Sequence, residues 1–217
     1  MTRVAVMISG GGSNMLALAA AARTLGYPAE IALVLSNQPG APGLERARAA
    51  GIPALAIDHR SYGQDRAAHE AALHAALLEH GVELVCLAGY MRVLTPFLVQ
   101  SWAGRMLNIH PSLLPAFPGL HTHARALAVG ARLHGCTVHW VTDVLDNGPI
   151  LGQAAVPVLP GDTPDALAAR VLVQEHRLYP AVLASVLGAP ATLPAYDAAL
   201  LNPVPAAYNA ANPAQPR

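Results

Sequence analysis

Asn108, Ile109 and His110, followed by Pro111, place a carboxamide and an imidazole two positions apart where a short β-branched run ends. On a strand such alternate residues point the same way. Side by side they can polarise a carbonyl and stabilise the oxyanion that forms when it is attacked, which is acyl-transfer chemistry. The competing reading is a histidine satisfied by backbone at a loop entry. Further along, Thr142-Asp143-Val144-Leu145-Asp146-Asn147-Gly148-Pro149 forms an acidic turn. Asp-Asn-Gly is a turn signal in its own right, and spacing alone does not bring Asp146 to His110.

Ser9-Gly10-Gly11-Gly12-Ser13-Asn14 lies between an apolar run and an Ala/Leu stretch. Glycines let the backbone approach a ligand closely, and a helix start offers unbonded N–H groups at a positive dipole end, so phosphate is the natural guest. The dinucleotide fingerprint is absent: Met15 stands where Gly or Ala is required, and Ser36-Asn37 stands where an acid would end the second strand. The alternative is a glycine turn that only closes the connection. His121-Thr122-His123 has no acidic or cysteine partner at ligand spacing, so a loop or packing role is expected there and no metal.

These residues need a frame to hold them. Candidate strands at Val4–Ile8, Ile31–Leu35, Ala54–Ile57, Leu84–Ala88 and Met106–Ile109 alternate with helical stretches at Met15–Leu25, Gly43–Ala50 and Arg66–His80, the last with Leu73, Leu77 and His80 on one stripe. Repeats of this length suit right-handed crossovers. The expected fold is α/β: a single open, mostly parallel twisted sheet with helices on both faces, of Rossmann type. In such sheets ligands bind at the carboxyl ends of strands, where both motifs fall. Beyond residue 110 we expect a long Pro/Gly/His loop, strands at Thr137–Val141 and Ile150–Val158, and a helix from Pro164. Thr163 should cap that helix, and Asp165 should sit in its first turn.

Composition narrows the chemistry. All 13 cations among the 217 residues are Arg, and with no Lys the chain lacks Schiff-base catalysis, the Walker A lysine and the kinase strand lysine. Thirteen acids balance them, so no global field favours nucleic acid or an anionic membrane. The longest apolar runs fall well short of the roughly 18 residues of a membrane span. Cys86 and Cys136 are too few for a disulfide framework, and no signal peptide opens the chain, so a cytoplasmic location is expected. No linker is visible before a Pro-rich C-terminal tail at 189–217, expected to be irregular.

Taken together, the strings Asn108 to Pro115, Pro118 to His123, and Asp146 with Gly148-Pro149 resemble the phosphoribosylglycinamide formyltransferase family. The resemblance extends to about residue 188, through Ile8 to Asn14, Leu44 to Arg48, Leu87 to Arg92 and Gln174-Glu175-His176, and implies a catalytic domain at 1–188. It implies a catalytic trio of Asn108, His110 and Asp146. Gly12, Ser13 and Asn14 would hold a ribotide phosphate, and Glu175 would meet the glycinamide end. Arg66, Met91, Arg92, Val93, Leu94, Val141, Thr142, Asp143, Val144 and Leu145 would line the pocket for 10-formyltetrahydrofolate. Small-molecule substrates, no nucleic acid, no membrane and a monomer or homodimer are implied as well. Two positions depart from the family: Asn147, where Gly is frequent, and Ala116, where a cation is common. Methionyl-tRNA formyltransferase and formyltetrahydrofolate deformylase are the related alternatives, each usually carrying a further domain for which this chain has no room. A non-catalytic nucleotide-binding module is the alternative of another class.

Overall fold

The computed structural model describes residues 1–189 and the backbone of 200–203, in two compact units that divide after Asn108. The division falls inside a strand, which is why no linker marks it.

The first unit contains β1 (Thr2–Ile8), β2 (Ala29–Ser36), β3 (Ala54–Ala56), β4 (Leu84–Leu87) and the start of β5 (Met106–His110). They pair in the order β3-β2-β1-β4-β5, every pairing parallel. Helices α1 (Ser13–Ala22), α2 (Pro42–Ala49), α3 (Arg66–Glu79) and α4 (Pro96–Ser101) make the crossovers. Because the chain steps outward from β1 to β3 and then returns past β1 to β4, right-handed crossovers put α1 and α2 on one face and α3 and α4 on the other. The strand order therefore reverses between β1 and β4, and the loops leaving these two strands flank the crevice of a doubly wound sheet. Val4 to Ile8 are fully buried, as a central strand covered on both faces must be.

The second unit is antiparallel. Its strands β6 (Leu133–Trp140), β7 (Ile150–Pro157) and β8 (Leu200–Pro203) pair in that order. Helix α5 (Thr122–Ala128) is short, and α6 (Pro164–Val186) packs on β6 and β7. Thr163 Oγ1 accepts from Ala166 N at 3.2 Å, with Pro164 at the first helical position and Asp165 in the first turn, as the sequence predicts.

The fold class is the expected one, an open and mostly parallel sheet with helices. Four details differ. β6 starts at Leu133 rather than Thr137, because pairing with β7 carries the ladder through a His-Gly pair that propensity alone would leave out. Helix α4 lies in a stretch to which the sequence assigns no element, and α5 lies inside the expected Pro/Gly/His loop: at six and seven residues they are too short for a periodic signal. A 3₁₀ turn at His59–Tyr62 was missed for the same reason. In the tail, β8 adds a strand to β7, while residues 190–199 and 204–217 lie outside the described residues.

Candidate active site

In the first unit, the loop Ser9–Asn14 leaves β1 and enters α1 through Gly12, whose φ of +73° is left-handed. A side chain there would be strained. The first helical bond, Leu16 N to Gly12 O, is 3.0 Å, and the amides of residues 13 to 15 lie ahead of it at the positive end of the helix. Helix α2 braces the loop: Gly43 N donates to Gly10 O at 3.1 Å, and Arg46 Nη1 donates to Gly11 O at 2.9 Å. A Cβ on Gly43 would lie 2.8 Å from Gly10 O and 2.4 Å from Ile8 Cδ1. Gly43→Ala should therefore displace the loop and destabilise the protein by about 1–3 kcal/mol, the usual range for overpacking. Chemical denaturation measures this; unchanged stability would show that the loop yields freely.

The loop leaving β4 faces the same crevice. Met91 and Val93 are 69% and 54% exposed, with Arg92 and Leu94 half-buried between them. Its far end is anchored by Glu70 of α3, a carboxylate only 3% exposed that accepts Thr95 N at 2.8 Å and the Thr95 hydroxyl. Arg66 opens α3 on the surface, behind the cap formed by Asp65 with Ala68 N. A recess of about 300 Å³ opens beside Ser9, Gln38 and Pro42. Its guanidinium, Arg60, is already paired with both carboxylate oxygens of Asp58 at 2.9 and 2.8 Å. The recess is therefore a poor anion site beside the glycine loop.

In the second unit, His110 ends β5 and the chain continues as a loop held through its backbone. Ser112 Oγ donates to Ala116 O at 2.6 Å. Thr137 Oγ1 of β6 donates to Ser112 O at 2.7 Å and accepts from Leu114 N at 3.0 Å. Gln153 Nε2 of β7 donates to Leu114 O at 2.8 Å. These bonds carry Phe117 O to 3.0 Å from His110 Nε2. A carbonyl can only accept, so Nε2 carries a proton and Nδ1 is the remaining ring atom.

That Nδ1 lies 3.5 Å from Asp146 Oδ2, the two side chains being 8% and 7% exposed. Gly119 N donates to the same oxygen at 2.8 Å. The turn from β6 to β7 thus delivers the acid that spacing could not place. Asp146 sits at φ +52°, a conformation aspartate tolerates better than most residues. His139, from β6, completes the group with Nε2 4.0 Å from Asp146 Oδ1. Its Nδ1 donates to Trp140 O at 2.9 Å. Burial holds the His139 pKa below the ordinary value, with His110 adding to the lowering, against the opposing pull of Trp140 O and Asp146. It is a neighbour of this pair that sequence reasoning missed. No local signal marks it, because its place beside Asp146 depends on how the turn after β6 folds back.

Asn108 is half-buried on β5, in register with Leu87 of β4, and strand alternation gives it the same side as His110. Val141–Leu145 precede Asp146 in its turn, with Val144 and Leu145 60% and 59% exposed. Glu175 lies on α6 and is 8% exposed. His121 caps α5 with φ +58°, and His123 Nδ1 lies 3.1 Å from His134 Nε2 with the rings edge to face. Among the described residues no group of three or more potential ligands could hold a metal, and no helix is long and apolar enough to cross a membrane.

His134 is 1% exposed. Burial, then His123 and His110, push its pKa from 6.5 down to about 4, with Pro111 O opposing. Its folded value is depressed, so between these limits the unfolded chain binds a proton that the folded one excludes. Stability should fall as pH drops from about 6.5 to about 4, and His134→Phe should flatten that part of the profile. Denaturation midpoints across this range decide; an identical slope in the variant would reassign the acid limb to other groups.

The sequence matches the family described as Formyl transferase over residues 2–183. The chain belongs to the formyl transferase family. A phosphoribosylglycinamide formyltransferase from Escherichia coli (strain K12) is 48% identical over 185 residues, covering 83% of this chain and 84% of that protein. The trifunctional purine biosynthetic protein adenosine-3 of Drosophila melanogaster is 48% identical over 193 residues, 88% of this chain; the chain spans only 14% of that protein's length. The crystal structure of a phosphoribosylglycinamide formyltransferase from Brucella melitensis, 53% identical, superposes with a TM-score of 0.82 over 89% of this chain and 99% of that one. Within this family member the two departures are both superficial: Ala116 and Asn147 have exposed side chains, and their backbones close turns through Ala116 N to Leu113 O at 2.9 Å and Asn147 N to Val144 O at 3.3 Å.

Proposed function

We propose that the chain transfers the formyl group of 10-formyltetrahydrofolate to the amine of glycinamide ribonucleotide, giving formylglycinamide ribonucleotide in de novo purine synthesis. On this reading it works in the cytoplasm on small molecules, without metal or nucleic acid, as a monomer or homodimer. The observation that carries the proposal is the buried pair of His110 and Asp146, 3.5 Å apart, with Asn108 two residues before the histidine on the same strand.

Gly12, Ser13 and Asn14 hold the ribotide phosphate at the start of α1, where amides and the helix dipole favour an anion. Glu175 takes the glycinamide end. The folate is taken by Arg66 and Met91–Leu94 in the first unit and Val141–Leu145 in the second. Within each unit the assigned stretch offers exposed apolar side chains of the kind a flat aromatic ring takes, Met91 and Val93 in the one and Val144 and Leu145 in the other.

The ribotide amine attacks the formyl carbon, a C–N bond forms, and the carbonyl π pair moves to oxygen. Asn108 and protonated His110 donate to that oxyanion. With Nε2 engaged by Phe117 O, the donor on His110 is Nδ1. Its 3.5 Å separation from Asp146 exceeds the roughly 2.7–2.9 Å of a charge-assisted hydrogen bond, so the acid balances the imidazolium without saturating it. Asp146 takes the amine proton and returns it to the leaving folate nitrogen as the oxyanion pair re-forms the carbonyl and the old C–N bond breaks, its pair going to that nitrogen. No enzyme nucleophile is needed: the chain has no lysine, and Ser112, fully buried, already donates to Ala116 O. The test offers glycinamide ribonucleotide, methionyl-tRNA and water in parallel as formyl acceptors. Turnover with the ribotide alone is expected. Preference for either other acceptor would replace this reading with one of the related formyl enzymes, and binding without turnover would make the chain a nucleotide-binding module.

A further inference from the structure

Ser9 stands at the end of β1, immediately before the glycine loop, and it is joined to the loop leaving β4 by two bonds. Its amide donates to Gly89 O at 3.0 Å, and its hydroxyl accepts Met91 N at 2.8 Å. The hydroxyl proton goes elsewhere, to Asn37 Oδ1 at 2.6 Å. Asn37, at the end of β2 and 2% exposed, is itself fixed: His59 Nδ1 lies 2.9 Å from its carbonyl oxygen and 3.2 Å from its Nδ2. One hydroxyl thus has its donor and one acceptor direction committed, and it ties the two loops that flank the reversal of strand order.

We infer that Ser9 is a positioning residue shared by both substrates, fixing the glycine loop and the Met91–Leu94 loop to one another. The inference rests on the assignment of ribotide to the first loop and folate to the second. Its physical basis is that one residue at the mouth of the first loop holds the second at two points, its amide on Gly89 O and its hydroxyl on Met91 N, while Asn37 fixes the direction of that hydroxyl. The Met91 amide would lose its acceptor if the hydroxyl were removed, while Glu70 would still hold the far end of the loop at Thr95. Loss of Ser9 should therefore be felt at both binding sites, and loss of Glu70 at one.

Calorimetry on the full chain, with glycinamide ribonucleotide and with tetrahydrofolate, the product that cannot transfer a formyl group, tests this. Ser9→Ala should weaken each ligand about five- to tenfold, the scale of one positioning hydrogen bond. Ser9→Thr, which keeps the hydroxyl, should bind both nearly as the wild type does. Ser9→Cys, similar in size but a weak acceptor, should fall between them and decides the matter if Ser9→Ala does not fold. Glu70→Ala should weaken tetrahydrofolate and leave the ribotide unchanged. If Ser9→Ala or Ser9→Cys weakens only one ligand, or neither, the shared role is wrong. If the wild-type chain binds neither ligand, the functional reading has failed and the inference falls with it.

Discussion

Asp146→Asn should leave the protein folded and lower its turnover by on the order of 10² to 10³, the loss typical when a preorganised electrostatic partner is removed. The substitution is nearly isosteric, and the amide oxygen can still accept Gly119 N, which now donates to Asp146 Oδ2 at 2.8 Å. The turn and the left-handed backbone at Asp146 therefore survive. What is lost is the negative charge 3.5 Å from His110 Nδ1 and the base that moves the amine proton. Dissociation constants for ribotide and folate should change by less than about threefold, because the charge acts on the transition state and not on the ground-state complexes. Steady-state rates, ligand titrations and a thermal melt on the same preparations give the answer. Wild-type turnover in the Asn variant would reduce Asp146 to a turn former.

Asn108→Ala is expected to cost turnover about as much, roughly 10²-fold or more, by removing one of two donors to the oxyanion. Substrate affinities should again be nearly preserved, since the amide bonds the oxygen most strongly once it is charged. Because Asn108 and His110 would act on one oxygen, Asn108→Ala combined with His110→Ala should lose less than the product of the single losses. Four variants, measured for turnover and for each dissociation constant, complete the cycle. A rate loss explained wholly by weaker binding of one substrate would make Asn108 a residue that places substrate.

Much of this was legible in the chain. The five parallel strands were each found, since strands of a covered parallel sheet read as short apolar runs and their crossovers as longer Ala/Leu stretches. Asn108 and His110 could be paired from sequence because two residues on one strand have a fixed relation. Asp146 could not be, because its approach depends on how the turn between two antiparallel strands folds back, and nothing local encodes that distance. His139 and Glu70 escaped as well. A single histidine or glutamate carries no pattern, and their significance comes from burial beside a carboxylate in one case and beside a helix start in the other.

The loop from Pro111 to Gly119 is secured by main-chain groups. Ser112 grips the carbonyl of Ala116, His110 that of Phe117, Gln153 that of Leu114, and Asp146 the amide of Gly119. Backbone atoms are the same whatever residue occupies the position. The identity of the side chain at 116 is therefore nearly free to drift, which explains how alanine can stand there without penalty to the geometry around His110. Sequence variation across this loop should be distributed accordingly: wide at the exposed positions that lend only their peptide groups, narrow at Ser112, Thr137 and Gln153, whose side chains do the holding.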